Sequence, residues 1–194
     1  MKTTIFNTPV LSRILFYLTN VLLFLFGWRV EGSLPDLPKF VLIGAPHTSN
    51  WDFVLFLGVI FHLKANVHFM GKSGLFRPPF GGFFRWCGGI PVDRTKSQGL
   101  VEQTVQAMNA SEKFILVIAP EGTRHKVHEW KTGFYHIARS AGTSIVLAVV
   151  DGAKKEVRVG QIFHPTKDME ADMKAIKGYF AGIVGIRPHR TSEL

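Results

Sequence analysis

The sequence predicts an α/β domain with a largely parallel central sheet flanked by helices. Short apolar runs that suit buried strands recur along the chain, and most of them are followed by a segment with helical periodicity. Alternating strands and helices are typical of a parallel sheet with helices on its faces. At 194 residues, the chain has the length of one domain with a full core.

The N-terminal region contains the first helical element. Residues 14–28 are almost continuously apolar and are bounded by Arg13 and Arg29. As a helix this stretch would be about 22 Å long, shorter than the ~30 Å hydrocarbon core of a bilayer. We therefore expect residues 1–30 to form a membrane-associating helix in the interface, ahead of a domain over residues 31–194. A cleaved signal peptide and a buried core helix are the alternatives.

The remaining elements follow from apolar patterning and turn residues. Residues 31–39 are rich in glycine and proline and are predicted to be a linker, and residues 71–89 are predicted to be a shaped loop. Predicted strands cover 40–45, 67–70, 90–92, 114–119, 145–150 and 156–163, the last with the alternation of an edge strand. Predicted helices cover 53–63, a segment capped by Ser97, 134–141 and 169–180.

Net charge and composition indicate which classes of molecule the chain binds. The net charge is +9, with 17 Phe and four Trp residues. No block of like charges and no nucleic-acid-binding motif occurs, so the sequence argues against a nucleic-acid partner. Few charges combined with many aromatic residues favour a membrane surface and phosphorylated lipid. The single cysteine, Cys87, excludes an internal disulfide.

The first polar segment follows the predicted strand 40–45 and contains His47 and Asp52. On a continuous helix these two residues would lie about 140° apart, so they converge only if the helix begins between them. Ser49 or Asn50 supplies an N-cap residue that would put the Asp52 carboxylate in the first turn, within reach of the imidazole. Such a pair is what deprotonation of an alcohol requires. A purely structural interpretation, in which Asp52 caps the helix, is equally open at this point.

The second polar segment ends in Arg94, after two glycines that allow a ligand to approach the backbone closely. The surrounding window contains further basic residues and a single acid: Lys72, Arg77, Arg85 and Lys96, with Asp93. Arginine binds phosphate through two parallel hydrogen bonds, so this segment suits a phosphate group. An ion pair between Arg94 and a neighbouring acid is the alternative.

The third polar segment is Pro-Glu-Gly-Thr-Arg at 120–124, directly after the predicted strand 114–119. Proline ends the strand, glycine allows a tight turn, and the polar side chains of Glu121, Thr123 and Arg124 project where the sheet stops. An arginine beside a glutamate suits the phosphate and hydroxyl groups of a polyol phosphate. A structural turn is the alternative.

In this order and spacing, the segments resemble the lysophosphatidate and glycerolipid acyltransferase family over about residues 40–150. The first family motif, a His and an Asp separated by four residues, is matched by His47 and Asp52. The second, an Arg after a glycine-led apolar run, is matched by Arg94, and the third is matched without change by 120–124.

Other positions agree with the family less evenly. Lys72 and the Trp-Lys-Thr-Gly run at 130–133 also resemble the family's sequence. The fourth family motif carries prolines, and here Ser144 and Leu147 stand in their place.

The resemblance implies transfer of an acyl group from an acyl-CoA or acyl-carrier-protein thioester to the free hydroxyl of a lysophospholipid such as 1-acylglycerol-3-phosphate. His47 would be the general base and Asp52 its orienting partner. The acceptor would be held by Lys72, Arg94, Glu121, Gly122, Thr123 and Arg124. The resemblance implies no metal and no cofactor besides the thioester co-substrate. It also implies membrane lipid as a partner and the cytoplasmic face of the inner membrane as the location.

Two functions from other classes fit parts of the same pattern. A lipid or thioester hydrolase would use the pair of His47 and Asp52 to activate water. A non-catalytic membrane-binding module would explain the basic charge and the apolar N-terminus, but not why polar residues follow the ends of several strands. The sequence leaves the lysolipid, the type of thioester and the oligomeric state open.

Overall fold

A seven-stranded sheet forms the centre of the computed structural model, which describes residues 3–92 and 99–193. In chain order, the helices and strands are α1 Leu11–Leu25, β1 Arg29–Gly32, β2 Lys39–Ala45, α2 Trp51–His62, β3 Val67–Lys72, α3 Gly81–Trp86, β4 Gly89–Val92, α4 Leu100–Asn109, β5 Phe114–Ile118, α5 Gly133–Ser140, β6 Ser144–Asp151, β7 Glu156–Phe163 and α6 Met169–Tyr179. Short 3₁₀ helices cover Ser73–Phe76 and Pro188–Arg190.

The sheet is parallel except at one pairing. Its strands lie in the order β1-β7-β6-β2-β5-β3-β4, and β6 with β7 is the antiparallel pair. The other neighbouring pairs are parallel. The predicted α/β class with a largely parallel sheet is therefore confirmed. Strands β6, β2, β5, β3 and β4 end on the same side, which we call the carboxyl edge.

Alternate residues of β2 face two cores, as the pleat of a strand requires. Val41 and Ile43 belong to a core that includes residues of α4, α5 and α6. Phe40 and Leu42 belong to a core built with α1 and α2 on the other face of the sheet. The residues that leave β2 at its carboxyl end are thus carried by a strand packed on both faces.

Three local predictions differ from the structure. Part of the predicted linker 31–39 forms β1, which pairs with β7 in parallel register, so the expectation that 156–163 is an edge strand is wrong. The predicted loop 71–89 contains a 3₁₀ turn and α3. Helix α4 begins after Gly99, whereas the predicted cap, Ser97, lies outside the described residues.

Helix α1 packs against α2 but leaves most of its apolar side chains exposed. Leu23 is buried against α2, and the His62 Nδ1 and Asn20 Oδ1 atoms lie 2.6 Å apart across the two helices. The exposed apolar residues of this region are Val10, Ile14, Tyr17, Leu18, Val21, Leu22, Phe24, Leu25 and Phe26. Such exposure is the opposite of what a buried core helix shows.

Across residues 3–92 and 99–193, no helix combines the length and the apolar character that crossing a bilayer requires. The division of the chain into 1–30 and 31–194 stays a prediction.

Candidate active site

The turn that leaves β2 brings His47 and Asp52 together. Helix α2 begins at Trp51, so Asp52 stands in its first turn while His47 is still in the connecting loop. The Nδ1 atom of His47 lies 2.9 Å from Oδ2 of Asp52. The convergence expected from the sequence is therefore present.

Backbone hydrogen bonds hold the Asp52 carboxylate in this position. Its Oδ2 atom accepts the N–H groups of Thr48 at 2.6 Å and Ser49 at 2.8 Å. The carboxylate is therefore both the closing group of the turn and the partner of the imidazole. Its other oxygen, Oδ1, is buried and accepts no hydrogen bond from any described residue.

The imidazole of His47 is more accessible than the carboxylate of Asp52. The Asp52 side chain is 7% exposed and the His47 side chain 29%. Because the carboxylate accepts only, the proton of a neutral imidazole is assigned to Nδ1, which leaves the lone pair of Nε2 available. An oriented imidazole with a free Nε2 and partial exposure can take a proton from a bound hydroxyl group.

Glu121 reaches the same turn from the loop that follows the neighbouring strand β5. Its Oε2 atom accepts the backbone N–H of His47 at 2.5 Å, and its Oε1 atom accepts the Ser192 hydroxyl at 3.3 Å. Glu121 is 2% exposed. Burial raises the pKa of its carboxyl to about 7, although the hydrogen bonds from His47 and Ser192 act in the opposite direction. The contacts in the structure are thus with the turn that carries His47 and with Ser192, and the predicted binding of the acceptor by Glu121 stays a prediction.

Arg124 also lies beside α2. Its guanidinium group donates a hydrogen bond to the side-chain oxygen of Asn50, the residue just before that helix, and both residues are exposed. An exposed guanidinium group at the start of α2 suits an anionic ligand. The role of Arg124 in substrate binding stays a prediction.

The loop that carries Arg124 is closed by a short backbone contact. The Lys131 N–H donates to the Pro120 carbonyl oxygen at 2.8 Å. Gly122 has a φ of +65°, a left-handed conformation that favours glycine. Thr123 accepts a hydrogen bond from the His125 N–H at 3.4 Å. Gly122 and Thr123 therefore shape the turn, and their predicted contacts with a substrate are untested.

One further predicted residue, Lys72, stands farther along the carboxyl edge. Lys72 is the last residue of β3 and is exposed. Arg94 follows the end of β4, but it lies outside the described residues. The sheet order separates Lys72 from the His47 turn by strand β5. The predicted roles of Lys72 and Arg94 remain predictions.

The described part of the chain holds no cluster of three or more His, Cys, Asp or Glu side chains arranged for a metal ion. Sequence reasoning missed a different group, the residues near the C-terminus that contact Thr48 and Glu121. The Arg187 N–H donates to Thr48 Oγ1 at 3.0 Å, and Ser192 contacts Glu121 as described above. Because these partners are far apart along the chain, no local pattern signals them.

The fold and the site place the protein among α/β proteins that carry a His–Asp pair at the carboxyl ends of a parallel sheet. A family model described as acyltransferase matches residues 29–150. The chain belongs to this family.

Individual relatives carry more specific names. The chain is 29% identical over 148 residues to a 1-acyl-sn-glycerol-3-phosphate acyltransferase of Haemophilus influenzae, a match that covers 71% of this chain and 60% of the relative. It is 28% identical over 148 residues to the protein of the same name from Escherichia coli K12, covering 71% of this chain and 59% of the relative. The chain thus spans about three fifths of the length of these relatives.

A solved structure shares the fold. The crystal structure of the 1-acyl-sn-glycerophosphate (LPA) acyltransferase PlsC from Thermotoga maritima superposes with a TM-score of 0.61 over 87% of this chain and 76% of that chain. At 18% sequence identity, this similarity concerns the fold alone.

Proposed function

We propose that the chain is an O-acyltransferase that moves a fatty acyl group from a thioester to the free hydroxyl of 1-acylglycerol-3-phosphate. The observation that carries this proposal is the imidazole of His47, held at Nδ1 by Asp52 and partly exposed. The names of the relatives in H. influenzae and E. coli support the choice of acceptor.

The reaction needs one base and two bound substrates. The Nε2 atom of His47 takes the proton of the acceptor hydroxyl while the hydroxyl oxygen attacks the thioester carbonyl carbon. The carbon–sulfur bond then breaks, and the leaving thiolate takes the proton back from the imidazolium. Asp52 stabilises the imidazolium during this exchange. No covalent acyl-enzyme is required, because attack is direct once both substrates are held.

The acceptor's phosphate group would lie among the basic residues of the carboxyl edge. Arg124 is exposed beside α2, and its guanidinium group offers further N–H donors in addition to the one it gives to Asn50. Lys72 and Arg94 are the other cations that we assign to this role. The thioester donor is acyl-CoA or an acyl-carrier protein, and both are anionic, which suits a chain of net charge +9.

Release of free thiol distinguishes the proposed reaction from its rivals. Purified protein is mixed with acyl-CoA, or with acyl-carrier protein, in the presence and absence of 1-acylglycerol-3-phosphate. Thiol release that depends on the acceptor, with a diacyl product detected by mass spectrometry, is the expected result. Release without acceptor would identify a hydrolase, and a lack of release with every donor and acceptor would favour a non-catalytic membrane module.

We propose further that the exposed apolar side of α1 lies in the interfacial region of a membrane, on the cytoplasmic face of the inner membrane. Phe24 is 82% exposed there. Trp51 and Val54, in the first turns of α2 on either side of Asp52, are exposed apolar residues as well. A lipid surface contacting both groups would bring a membrane-borne acceptor close to His47.

Binding to vesicles tests this placement. The substitution Phe24→Ser removes an exposed aromatic side chain and should weaken binding to anionic phospholipid vesicles about tenfold, the value of burying one Phe side chain. The matched control is Tyr179→Ser, which changes an exposed aromatic residue on α6 and should leave vesicle binding unchanged. Equal binding of the two variants would contradict the proposed contact.

A further inference from the structure

The C-terminal segment, which we define as residues 183–193, contacts the turn that carries His47 and Thr48, although it lies beyond the region 29–150 that the family model matches. The Arg187 N–H donates to the side chain of Thr48, the residue after His47, at 3.0 Å. Gly185 lies so close to Thr48 that an added Cβ atom would stand 2.5 Å from the Thr48 methyl carbon. The segment therefore packs directly against the turn that holds His47.

The segment is itself held in place at two points. The Gly152 N–H, in the connection between β6 and β7, donates to the Val184 carbonyl oxygen at 2.7 Å. The Gly185 N–H donates to Thr191 Oγ1 at 2.9 Å. The position of the segment is therefore set by the sheet and by its own internal hydrogen bond.

Ser192 connects this segment to Glu121. Its hydroxyl oxygen accepts the Val127 N–H at 3.1 Å, and its hydroxyl group donates to Glu121 Oε1 at 3.3 Å. A hydroxyl group has one proton, and the bond from Val127 occupies an acceptor position, so the proton of Ser192 is free to be directed at Glu121. Ser192 is 8% exposed, which protects this contact from water.

Glu121 also accepts a hydrogen bond from the backbone of His47. One carboxylate oxygen accepts from Ser192 and the other accepts the backbone N–H of His47, so the carboxylate stands between the two donors. The backbone position of His47 decides whether Nδ1 can meet Asp52 at hydrogen-bonding distance. A carboxylate accepts this N–H more strongly than a neutral carboxyl group, so the arrangement depends on the ionised form of Glu121.

The groups around Glu121 determine how readily it loses that ionised form. Burial raises the pKa of Glu121, the negative charge of Asp52 raises it further, and His47 and Ser192 lower it to the resulting value of about 7. Loss of the Ser192 hydroxyl would raise the pKa again, so less of the carboxylate would be ionised at neutral pH.

We infer that Ser192 is a positioning residue of this active site: through the Glu121 carboxylate, it fixes the backbone of His47 and so the geometry of the pair with Asp52. The inference rests on the function proposed above, because it assigns Ser192 an effect on acyl transfer. Ser192 is buried, and its hydroxyl group contacts Glu121 and the Val127 N–H.

The first experiment compares turnover over a range of pH. Ser192→Ala should lower kcat about fivefold at pH 7, the value of one hydrogen bond, with the KM for 1-acylglycerol-3-phosphate unchanged. The deficit should shrink to less than about twofold near pH 9, where Glu121 is ionised in both proteins. The matched control is Ser144→Ala. Ser144 is the first residue of β6, at the end of the sheet opposite the carboxyl edge, and its hydroxyl group contacts His164. Its removal should not change kcat.

A merely structural role would give a different pattern. If Ser192 contributed only to folding, Ser192→Ala would lower the melting temperature and the fraction of active protein equally at all pH values. That result, or a kcat equal to that of the wild type at pH 7, would overturn the inference. If Ser192→Ala does not fold, Ser192→Cys replaces it, because a thiol keeps the shape while being a weak donor.

A double-mutant cycle tests whether Ser192 acts through Glu121. In a Glu121→Gln background the titrating carboxyl is gone, so adding Ser192→Ala should cost less than twofold in kcat instead of about fivefold. Full additivity of the two substitutions would show that Ser192 acts by another route and would also overturn the inference.

A spectroscopic readout separates failure of this inference from failure of the proposed function. With ¹⁵N-labelled histidine, the His47 ring nitrogens are assigned by comparing spectra of wild type and His47→Gln. Ser192→Ala should shift or broaden these signals at pH 7, because the bond from Nδ1 to Asp52 is less well defined. If the wild type releases no thiol in any assay, the proposed function fails, and unchanged His47 signals in Ser192→Ala then reject the positioning role independently.

Discussion

Two groups of buried carboxylates in this protein are built in opposite ways. Asp172, on α6, receives three hydrogen bonds: from the Tyr135 hydroxyl at 2.8 Å, from the Thr166 N–H at 2.6 Å and from the Thr166 hydroxyl at 3.0 Å. Burial alone would raise the pKa of Asp172, but these hydrogen bonds lower it. These hydrogen bonds join α5 to the start of α6, and both oxygens of the Asp172 carboxylate have partners.

The carboxylates at the turn that carries His47 are less completely hydrogen-bonded. Asp52 has a buried oxygen that accepts no hydrogen bond from the described residues, and the pKa of Glu121 is raised rather than lowered. His47, which joins them, is partly exposed. A fully hydrogen-bonded cluster stabilises the fold, whereas a site that can exchange a proton keeps an accessible group and an environment that opposes charge.

The largest expected effect concerns His47, the more exposed residue of the pair with Asp52. His47→Ala should lower turnover by at least about a hundredfold, the lower end of the usual contribution of a general base. The free energy of unfolding should change little, since His47 is partly exposed. Steady-state kinetics and urea denaturation measure the two quantities. The matched control His164→Ala alters an exposed histidine at the end of β7 and should retain full turnover, and near-normal activity of His47→Ala would remove it from the mechanism.

Asp172→Ala should give the reverse result. It removes an acceptor of the Thr166 N–H and hydroxyl groups and one of two acceptors of the buried Tyr135 hydroxyl, so the free energy of unfolding should fall by about 2 kcal/mol. Turnover per folded molecule should stay within about twofold of the wild type, because no hydrogen bond among the described residues joins this cluster to the turn that carries His47. Asp36→Ala, at an exposed carboxylate, serves as the control and should leave stability unchanged. A loss of turnover in fully folded Asp172→Ala would break the comparison.

Glu121→Gln should change stability and turnover in opposite directions at pH 8. Since the pKa of Glu121 in the folded chain is about 7, above the ordinary value for glutamate, its stabilising contribution is fully present at low pH and is lost as the pH rises through 7. The substitution should therefore raise the free energy of unfolding by about 2 kcal/mol at pH 8, and this gain should disappear below about pH 5. At the same time kcat should fall, because the amide holds the His47 N–H less strongly.

Denaturant titrations at the two pH values measure the effect on stability. Glu170→Gln, at an exposed position on α6, is the matched control and should show no gain at either pH. A Glu121→Gln variant that is less stable than wild type at pH 8 would show that the carboxylate contributes more by its hydrogen bonds than burial costs.

Much of this architecture was predictable because it depends on local patterns. Apolar runs and helical periodicity identified the strands that carry the site, and the order of strands and helices indicated a parallel sheet. The convergence of His47 and Asp52 followed from the position of the first turn of α2. The division into 1–30 and 31–194 and the roles of the site residues, including Lys72 and Arg94, stay predictions.

Other features depend on partners that are distant in sequence. Strand β1 is a four-residue segment within a region of glycine and proline, and it becomes a strand because β7 offers it a parallel partner. For the same reason 156–163 is not an edge strand. Propensity is a weak guide for so short a segment, since tertiary pairing supplies the hydrogen bonds.

The amino-acid order thus determined the fold class and the convergence of His47 with Asp52, because both follow from periodicity and from the start of a helix within a few residues. Only the tertiary structure decided that Glu121 meets the backbone of His47 and that Ser192 stands behind it. These contacts join residues 74 and 71 positions apart. A hydrogen bond between residues so far apart in sequence has no local signal. It forms only when the packed sheet brings distant segments of the chain together.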